Sequence, residues 1–448
     1  MKIRLKLEPL LFRNKSMVPW LLAASILLSS PALPSLAEAR VYLDINAPTL
    51  VQIPIVMSKW KADGKTGPAI YEALSKNLTL SGFFRVIEYG QLPASLQRKE
   101  GIPDTVVLQE WMPAGGEVLL AGEASLEPQG LQLRVRCHLF DLVEQKQVFG
   151  KVYEGHVQTL RQMVHQIADE VVLHVTGERG VHTTKLAYTV AQGTGKEVFV
   201  ADFDGGSVKQ ITQNQSINVS PAWSPDGRRI AFTSYLKRNP DLYFIDLEGR
   251  NLQRFSSAPG LNLAPSWSPD GKQIALMIGM EGKSEIAVMD ANGGNLRKLT
   301  KSHGNEASPS WSSDGKSIAF VSDRSGSPQV YVMASDGSNV RRLTYEGNYN
   351  TNPSWSPKGD RIAYCGRAGG RFEIFTLRPD GSALQRLTQN SGNNENPCWS
   401  PDGRYLAFSS TRSGGSKIYV MNVNGFNQRP LNSSKGAESN PAWSRRFN

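Results

Sequence analysis

Pro265-Ser-Trp-Ser-Pro-Asp-Gly271 decides the fold of this chain, because it is one of six near-copies. The others read Pro221-Ala-Trp-Ser-Pro-Asp-Gly227, Pro309-Ser-Trp-Ser-Ser-Asp-Gly315, Pro353-Ser-Trp-Ser-Pro-Lys-Gly359, Pro397-Cys-Trp-Ser-Pro-Asp-Gly403 and a final Pro441-Ala-Trp-Ser444. Consecutive motif prolines fall 44 residues apart every time. A period of this length, held without insertion or deletion, marks a stacked or ring-shaped repeat in which each unit buries its apolar face against the next. Six equivalent catalytic sites would be a strange enzyme.

Each unit carries four strand signals, of which Pro-x-Trp-Ser is the first. The second reads Leu186-Ala-Tyr188, Ile230-Ala-Phe232, Ile274-Ala-Leu276, Ile318-Ala-Phe320, Ile362-Ala-Tyr364 and Leu406-Ala-Phe408. The third, from Val198-Phe-Val200 to Ile418-Tyr-Val420, leads each time to a turn dipeptide such as Asp204-Gly205, Asn292-Gly293 or Asp380-Gly381. Such pairs supply the positive φ of a tight hairpin. The fourth ends in pairs such as Ile211-Thr212 and Leu343-Thr344. Four short antiparallel strands per unit describe a propeller blade. The series opens on a second strand and closes on a first one. Residues 441–444 are therefore expected to complete the blade begun at 186–212, closing a six-bladed ring and removing its sheet edges. Each Trp is expected to pack between blades, and each Ser-Pro-Asp-Gly to form the turn after it.

The repeats begin near residue 182, and residues 38–181 differ in character. Ile70, Leu74 and Leu78 share one face of a helix with Thr66 as its N-cap and Gly82 beyond its end. A second helix runs from Thr159, in a capping box with Gln162, through Leu160, Met163, Ile167, Val171 and Val175 to Gly177. Residues 105–108, 117–121, 131–140 and 147–152 read as strands. Two helices on a small sheet make an N-terminal α/β sandwich domain, followed at 182–448 by the all-β propeller. His165 and His174 on the second helix read as ordinary surface histidines.

Residues 1–37 read as a signal peptide: a basic start, an apolar stretch over 18–33, then Ser35-Leu36-Ala37 before the cleavage point. A membrane anchor is disfavoured, because Pro31 interrupts a stretch already shorter than the ~20 residues of a spanning helix. The segment carries +4 of the formal +10 charge, and the remaining +6 is too mild to argue for nucleic acid. With 448 residues, 40% hydrophobic and 20% charged, the chain has the composition of globular domains rather than of a disordered one. Cys137, Cys365 and Cys398 read as small buried residues rather than a disulfide framework, and no metal-ligand spacing occurs among Cys and His.

Three residues before each motif proline stand Asn218, Asn262, Glu306, Asn350, Asn394 and Glu438. Recurrence at one mouth of the channel predicts a polar, slightly acidic ring, suited to hydrogen-bonding an inserted peptide or loop, or to holding a Ca2+ ion through oxygen ligands. Local turn hydrogen bonding is the competing reading. Arg324, Arg367 and Arg412, between second and third strands, are expected on the other side of the blades as solvated charge. Catalysis finds little support: neither a Gly-x-Ser-x-Gly elbow nor His-Glu-x-x-His occurs, and no hydrolase domain is expected after the repeats. The alternative to a non-enzymatic scaffold is an exported propeller hydrolase or lyase.

An export signal, a small α/β domain and six blades built on Pro-x-Trp-Ser-Pro-Asp-Gly, Ile-Ala-Phe and Ile-Tyr-Val-Met together resemble the TolB family, periplasmic components of the Tol-Pal system of Gram-negative bacteria. The resemblance implies a monomeric periplasmic scaffold that binds the peptidoglycan-associated lipoprotein Pal at the propeller mouth and TolA through its mature N-terminus, supporting outer-membrane integrity and constriction during division. Carried over by position, the Pal surface comprises Leu261, Asn262, Ala264, Glu306, Ala307, Asn350, Asn394, Glu395 and Glu438. The TolA segment comprises Glu38, Ala39, Arg40, Val41, Tyr42, Leu43 and Asp44. Leu261 departs from the polar or aromatic contact residue of some relatives.

Overall fold

Alternation of apolar residues sets the N-terminal domain. Ile53, Ile55 and Met57 of β1 (Ile53–Met57) face one way and Val56 the other, so the strand is buried on both sides. The computed structural model describes residues 52–127, 130–280, 282–431 and 434–447. The expected signal peptide and the segment Glu38 to Asp44 lie outside the described residues. Strand β1 pairs in parallel with β2 (Phe84–Ile87) and β3 (Val118–Leu126); β4 (Gln132–Asp141) and β5 (Lys146–His156) continue antiparallel. The resulting five-stranded sheet has the order β2-β1-β3-β4-β5.

Helices α1 (Thr66–Ser81) and α3 (Leu160–Thr176) cover one face, with Ile70, Leu74, Leu78, Met163, Ile167 and Val171 buried against it. Both stop at glycines in the left-handed region, Gly82 and Gly177. The other face is covered by a short helix α2 (Ala94–Gln97) and a 3-10 segment, Thr105–Ala114, which bury Leu96, Leu108 and Trp111. Residues 105–108 are thus helical rather than the expected strand, because Leu108 and Trp111, three apart, both reach the sheet. Strands β1 and β2 escape sequence reading because they are short and β1 contains Pro54. The expected caps are absent too: Thr66 is the first helical residue, and the Thr159 hydroxyl donates to His156 O at 2.7 Å instead of capping α3.

The rest of the chain forms six four-stranded antiparallel sheets. The terminal strand Glu438–Trp443 pairs with Lys185–Gln192, setting Trp443 opposite Leu186 and closing the ring as expected. In all six innermost strands the residue before the motif proline has a positive φ: Ser220, Ala264, Ser308, Asn352, Asn396 and Asn440, between 50° and 54°. Each sits where the register with the second strand shifts. Proline has no N–H for the ladder, and the bulge absorbs the interruption.

The tryptophans join blades. Trp223 Nε1 donates to Ala442 O (3.1 Å) and Trp399 Nε1 to Ser354 O (2.9 Å), each in the preceding blade. The turns are closed by Ser-to-Asp hydroxyl bonds, Ser268 to Asp270 and Ser312 to Asp314, both 2.6 Å. Where Lys358 replaces the aspartate, Ser356 reaches Asp360 instead at 2.8 Å. Gly249 of a third-strand turn needs glycine for two reasons: its φ is 78°, and a Cβ there would lie 2.8 Å from Ile211 O of the neighbouring blade. All three cysteines are free, and Cys137 and Cys365 are buried.

Candidate functional site

Every innermost strand runs from its Asn or Glu to its Trp, so the two ends of the propeller differ chemically. The turn end carries the Ser-Pro-Asp-Gly turns and the third-strand turns. The open end carries the loops from second to third strand and those leading into the next blade.

The N-terminal domain occupies the turn end over the first and last blades. Arg161 of α3 bonds Asp202 at 2.9 Å and also pairs with Asp204; Lys76 of α1 lies 3.8 Å from Asp204. Tyr405 donates to Ser81 O at 2.6 Å, and Arg404 bonds Glu178 at 2.7 Å. One apolar cluster runs through this junction from Ile70 and Val171 to Tyr188, Phe203, Tyr405 and Trp443. His165 is buried here rather than on a helix surface, with Nε2 3.8 Å from Asp204, because the propeller covers its face of α3. Burial would raise the Asp204 carboxyl, but His165, the Gly206 N–H and the Arg161 guanidinium hold it well below the usual carboxylate range. His165, Asp202 and Asp204 are the one convergent group of metal-ligand type among the described residues. Arg161, Lys185 and Lys76 already compensate its carboxylates.

The six predicted ring residues stand at the open end of the innermost strands, but not as an exposed ring. Asn218, Asn262, Glu306, Asn350, Asn394 and Glu438 are 0–2% exposed. Each fastens the loop that leads into its blade, and four of them reach the third strand of the preceding blade. Asn218 Nδ2 donates to Glu197 (3.0 Å), Asn350 to Gln329 (2.8 Å) and Asn394 to Glu373 (2.9 Å), all acceptors on third strands. Asn262 donates to Ala258 O at 2.7 Å and accepts from Ser256 at 3.0 Å. Glu438 meets the swapped charge, Lys417, at 3.7 Å, and accepts from Ile418 N at 3.0 Å. The physical reason is satisfaction of buried polar groups: the loop reading of these residues holds, and the amides are spent within the protein.

Glu306 takes its cation from a different place. Arg324 Nη2 bonds it at 2.8 Å, and Arg412 Nη2 bonds Asn394 at 2.8 Å, while their guanidinium groups lie over Tyr331 and Tyr419. Arg324 and Arg412 therefore lie at the same end as the ring and are bound, not solvated on the opposite side. Arg367 is exposed, as expected of solvated charge, but it too lies at the end of the ring, near the tip of its hairpin, and not on the opposite side.

What the open end presents is the set of neighbours of these buried residues. Leu261 is 37% exposed, Ala307 and Glu395 are half-buried, and burial raises the Glu395 carboxyl. Ala264 lines the channel, a cavity of about 510 Å3 bounded by the same positions of all six blades. Among the described residues no three carboxylate or histidine ligand atoms converge in that channel. Sequence reasoning missed the exposed Leu236, Met280, Tyr345 and Tyr349 and the cations beside them; loop-by-loop counting of charge and apolar residues at one end of the blades would have found them.

A six-bladed propeller closed by its own C-terminal strand, with an α/β domain seated on its turn end, defines the class. Within that class the chain belongs to the TolB family: residues 172–447 match the TolB beta propeller domain and residues 41–148 the TolB amino-terminal domain. Among curated relatives it is 32% identical over 215 residues to the Tol-Pal system protein TolB of Bordetella parapertussis, covering 48% of this chain and 46% of that one. It is 38% identical over 206 residues to that of Syntrophus aciditrophicus, covering 44% and 45%. The aligned chain thus spans about half the length of these relatives. The crystal structure of TolB from Acinetobacter baumannii superimposes with a TM-score of 0.78 at 26% identity, covering 88% of this chain and 97% of that one.

Proposed function

We propose that this protein is a periplasmic, non-catalytic scaffold of the Tol-Pal system that binds the lipoprotein Pal at the open end of its propeller and TolA through Glu38 to Asp44, supporting outer-membrane integrity and constriction during division. The observation that carries the reading is the placement of the N-terminal domain on the turn end, so that no described residue of that domain covers the open mouth, where Leu261 and Glu395 stand. The buried Asn and Glu residues then hold the mouth loops in shape, and Leu261, Ala307 and Glu395 make the contact, with Ala264 shaping the channel wall. No described helix is long and apolar enough to cross a membrane.

The test is a pull-down with residues 38–448, beside Leu261→Asp and a deletion of 38–49. Pal should be retained by the parent and the deletion but lost by Leu261→Asp; TolA should be lost by the deletion alone. Retention of neither protein by the parent would overturn the scaffold reading and direct attention to sugar or peptide ligands.

A further inference from the structure

The open end is unevenly built. In the fourth blade (Ser317–Ser322, Gln329–Ala334) and the sixth (Tyr405–Ser410, Lys417–Asn422) the second and third strands are six residues each, whereas in the first blade (Lys185–Gln192, Gly195–Asp202) they are eight each. In the second blade they are nine and eight residues, Arg229–Lys237 and Asn239–Asp246, and in the third blade eight and eight, Gln273–Met280 and Lys283–Asp290. These adjacent hairpins stay paired to their tips, Lys237 with Asn239 and Met280 with Lys283. They expose Leu236 and Met280, the latter at 56%, and Leu261 pairs beside Met280 across Gly279. Lys237 and Arg238 follow Leu236 in one hairpin and Lys283 pairs with Met280 in the next, and all three cations are exposed.

The charge of this end is opposite to the acidic ring expected from the repeats. The carboxylates of Glu306 and Glu438 are buried and paired with Arg324 and Lys417. Lys237, Arg238, Lys283, Lys301, Arg367 and Arg371 are exposed, and none makes an ion pair with a described residue. Among the described residues of the incoming loops and hairpins at this end, Glu346 is the exposed carboxylate, with Asp323 and Glu395 half-buried.

We infer that this ridge docks a folded protein whose contact surface is acidic around an apolar centre, with Leu236, Leu261 and Met280 as the apolar contacts and Lys237, Arg238 and Lys283 as the steering charges. The inference rests on the reading that the open end is the partner face, and adds the partner's chemistry. Exposed Met and Leu side chains contribute affinity in proportion to the apolar area a partner removes from water, and unpaired rim cations act chiefly on the rate of encounter.

The experiment measures association and dissociation of the proposed lipoprotein partner, and of a labelled acidic peptide carrying two leucines among Asp and Glu residues, at low and high salt. The variants are Lys237→Glu/Arg238→Glu/Lys283→Glu and Leu236→Ser/Met280→Ser, all at exposed positions, with melting temperature as a folding control. Association is expected to slow about 10-fold from low to high salt and about 10-fold in the charge-reversal variant at low salt, with dissociation little changed. The apolar variant should instead speed dissociation by roughly 5-fold or more. Lipoprotein binding indifferent to salt and to charge reversal would overturn the inference while leaving the scaffold reading intact. Absence of lipoprotein binding would overturn the Pal-binding part of the scaffold reading, and the peptide then decides: loss in the charge-reversal variant supports the inference, and equal or absent binding by both proteins overturns it.

Discussion

Asp169 of α3 takes two hydrogen bonds from His182 through one oxygen, from the backbone N–H and from ring Nδ1, both at 2.8 Å. Its second oxygen accepts from Thr183 N (3.1 Å) and Oγ1 (2.7 Å). One carboxylate therefore clamps the linker where it enters the propeller. Burial pushes the Asp169 carboxyl upward, but the His182 and Thr183 bonds outweigh it and bring the value to about 2.

A group whose folded pKa is depressed stabilises the protein above its unfolded pKa and loses that contribution as pH falls through the folded value. Asp169→Asn should therefore cost roughly 2–3 kcal/mol at neutral pH. The difference should vanish between about pH 4 and pH 2. Urea unfolding of both proteins from pH 7 downward checks this, and parallel pH profiles would refute it.

The exchange of charge where the last blade meets the first predicts a rescue. Third-strand positions Glu197, Gln329 and Glu373 face Asn218, Asn350 and Asn394, whereas Lys417 faces Glu438. Lys417→Glu should destabilise by roughly 3 kcal/mol, by leaving a buried carboxylate against another. Adding Glu438→Asn recreates the pattern of the other blades and should recover most of the loss. A double mutant as unstable as the single one, by chemical denaturation, would count against the equivalence of this pair with those of the other blades.

Arg404 couples the domains. Its guanidinium is buried, bonds Glu178 through Nε (3.0 Å) and Nη2 (2.7 Å), and lies 4.9 Å from the Phe83 ring centre. Arg404→Ala should weaken the junction by about 2 kcal/mol. Amide exchange should accelerate in residues 177–184 and at the end of α1, leaving the third and fourth blades unchanged.

Ala264 is the one alanine among the six bulge residues, at φ 52°. Asn tolerates this region better than Ala, and three of the six positions already carry it. Ala264→Asn should raise stability by about 0.5–1 kcal/mol, read as an increased melting temperature.

Much of this was legible in the residues. The 44-residue period, the turn dipeptides and the opening on a second strand specify six blades and their closure, because blade strands are local and their signals repeat in register. The N-terminal domain was less legible. Its β1 and β2 are short, and Thr105–Ala114 shows branched residues that read as a strand until the sheet's second face requires a helical spacing for Leu108 and Trp111.

The sequence by itself determined the repeat, the ring and the recurrence of Asn or Glu before each motif, since these depend on local periodicity. Tertiary structure alone decided which way those side chains point, that Arg324 and Arg412 bind at the same end, and that His165 is buried. Those outcomes depend on partners distant in the chain: a polar group is spent or presented according to what the folded neighbours offer it.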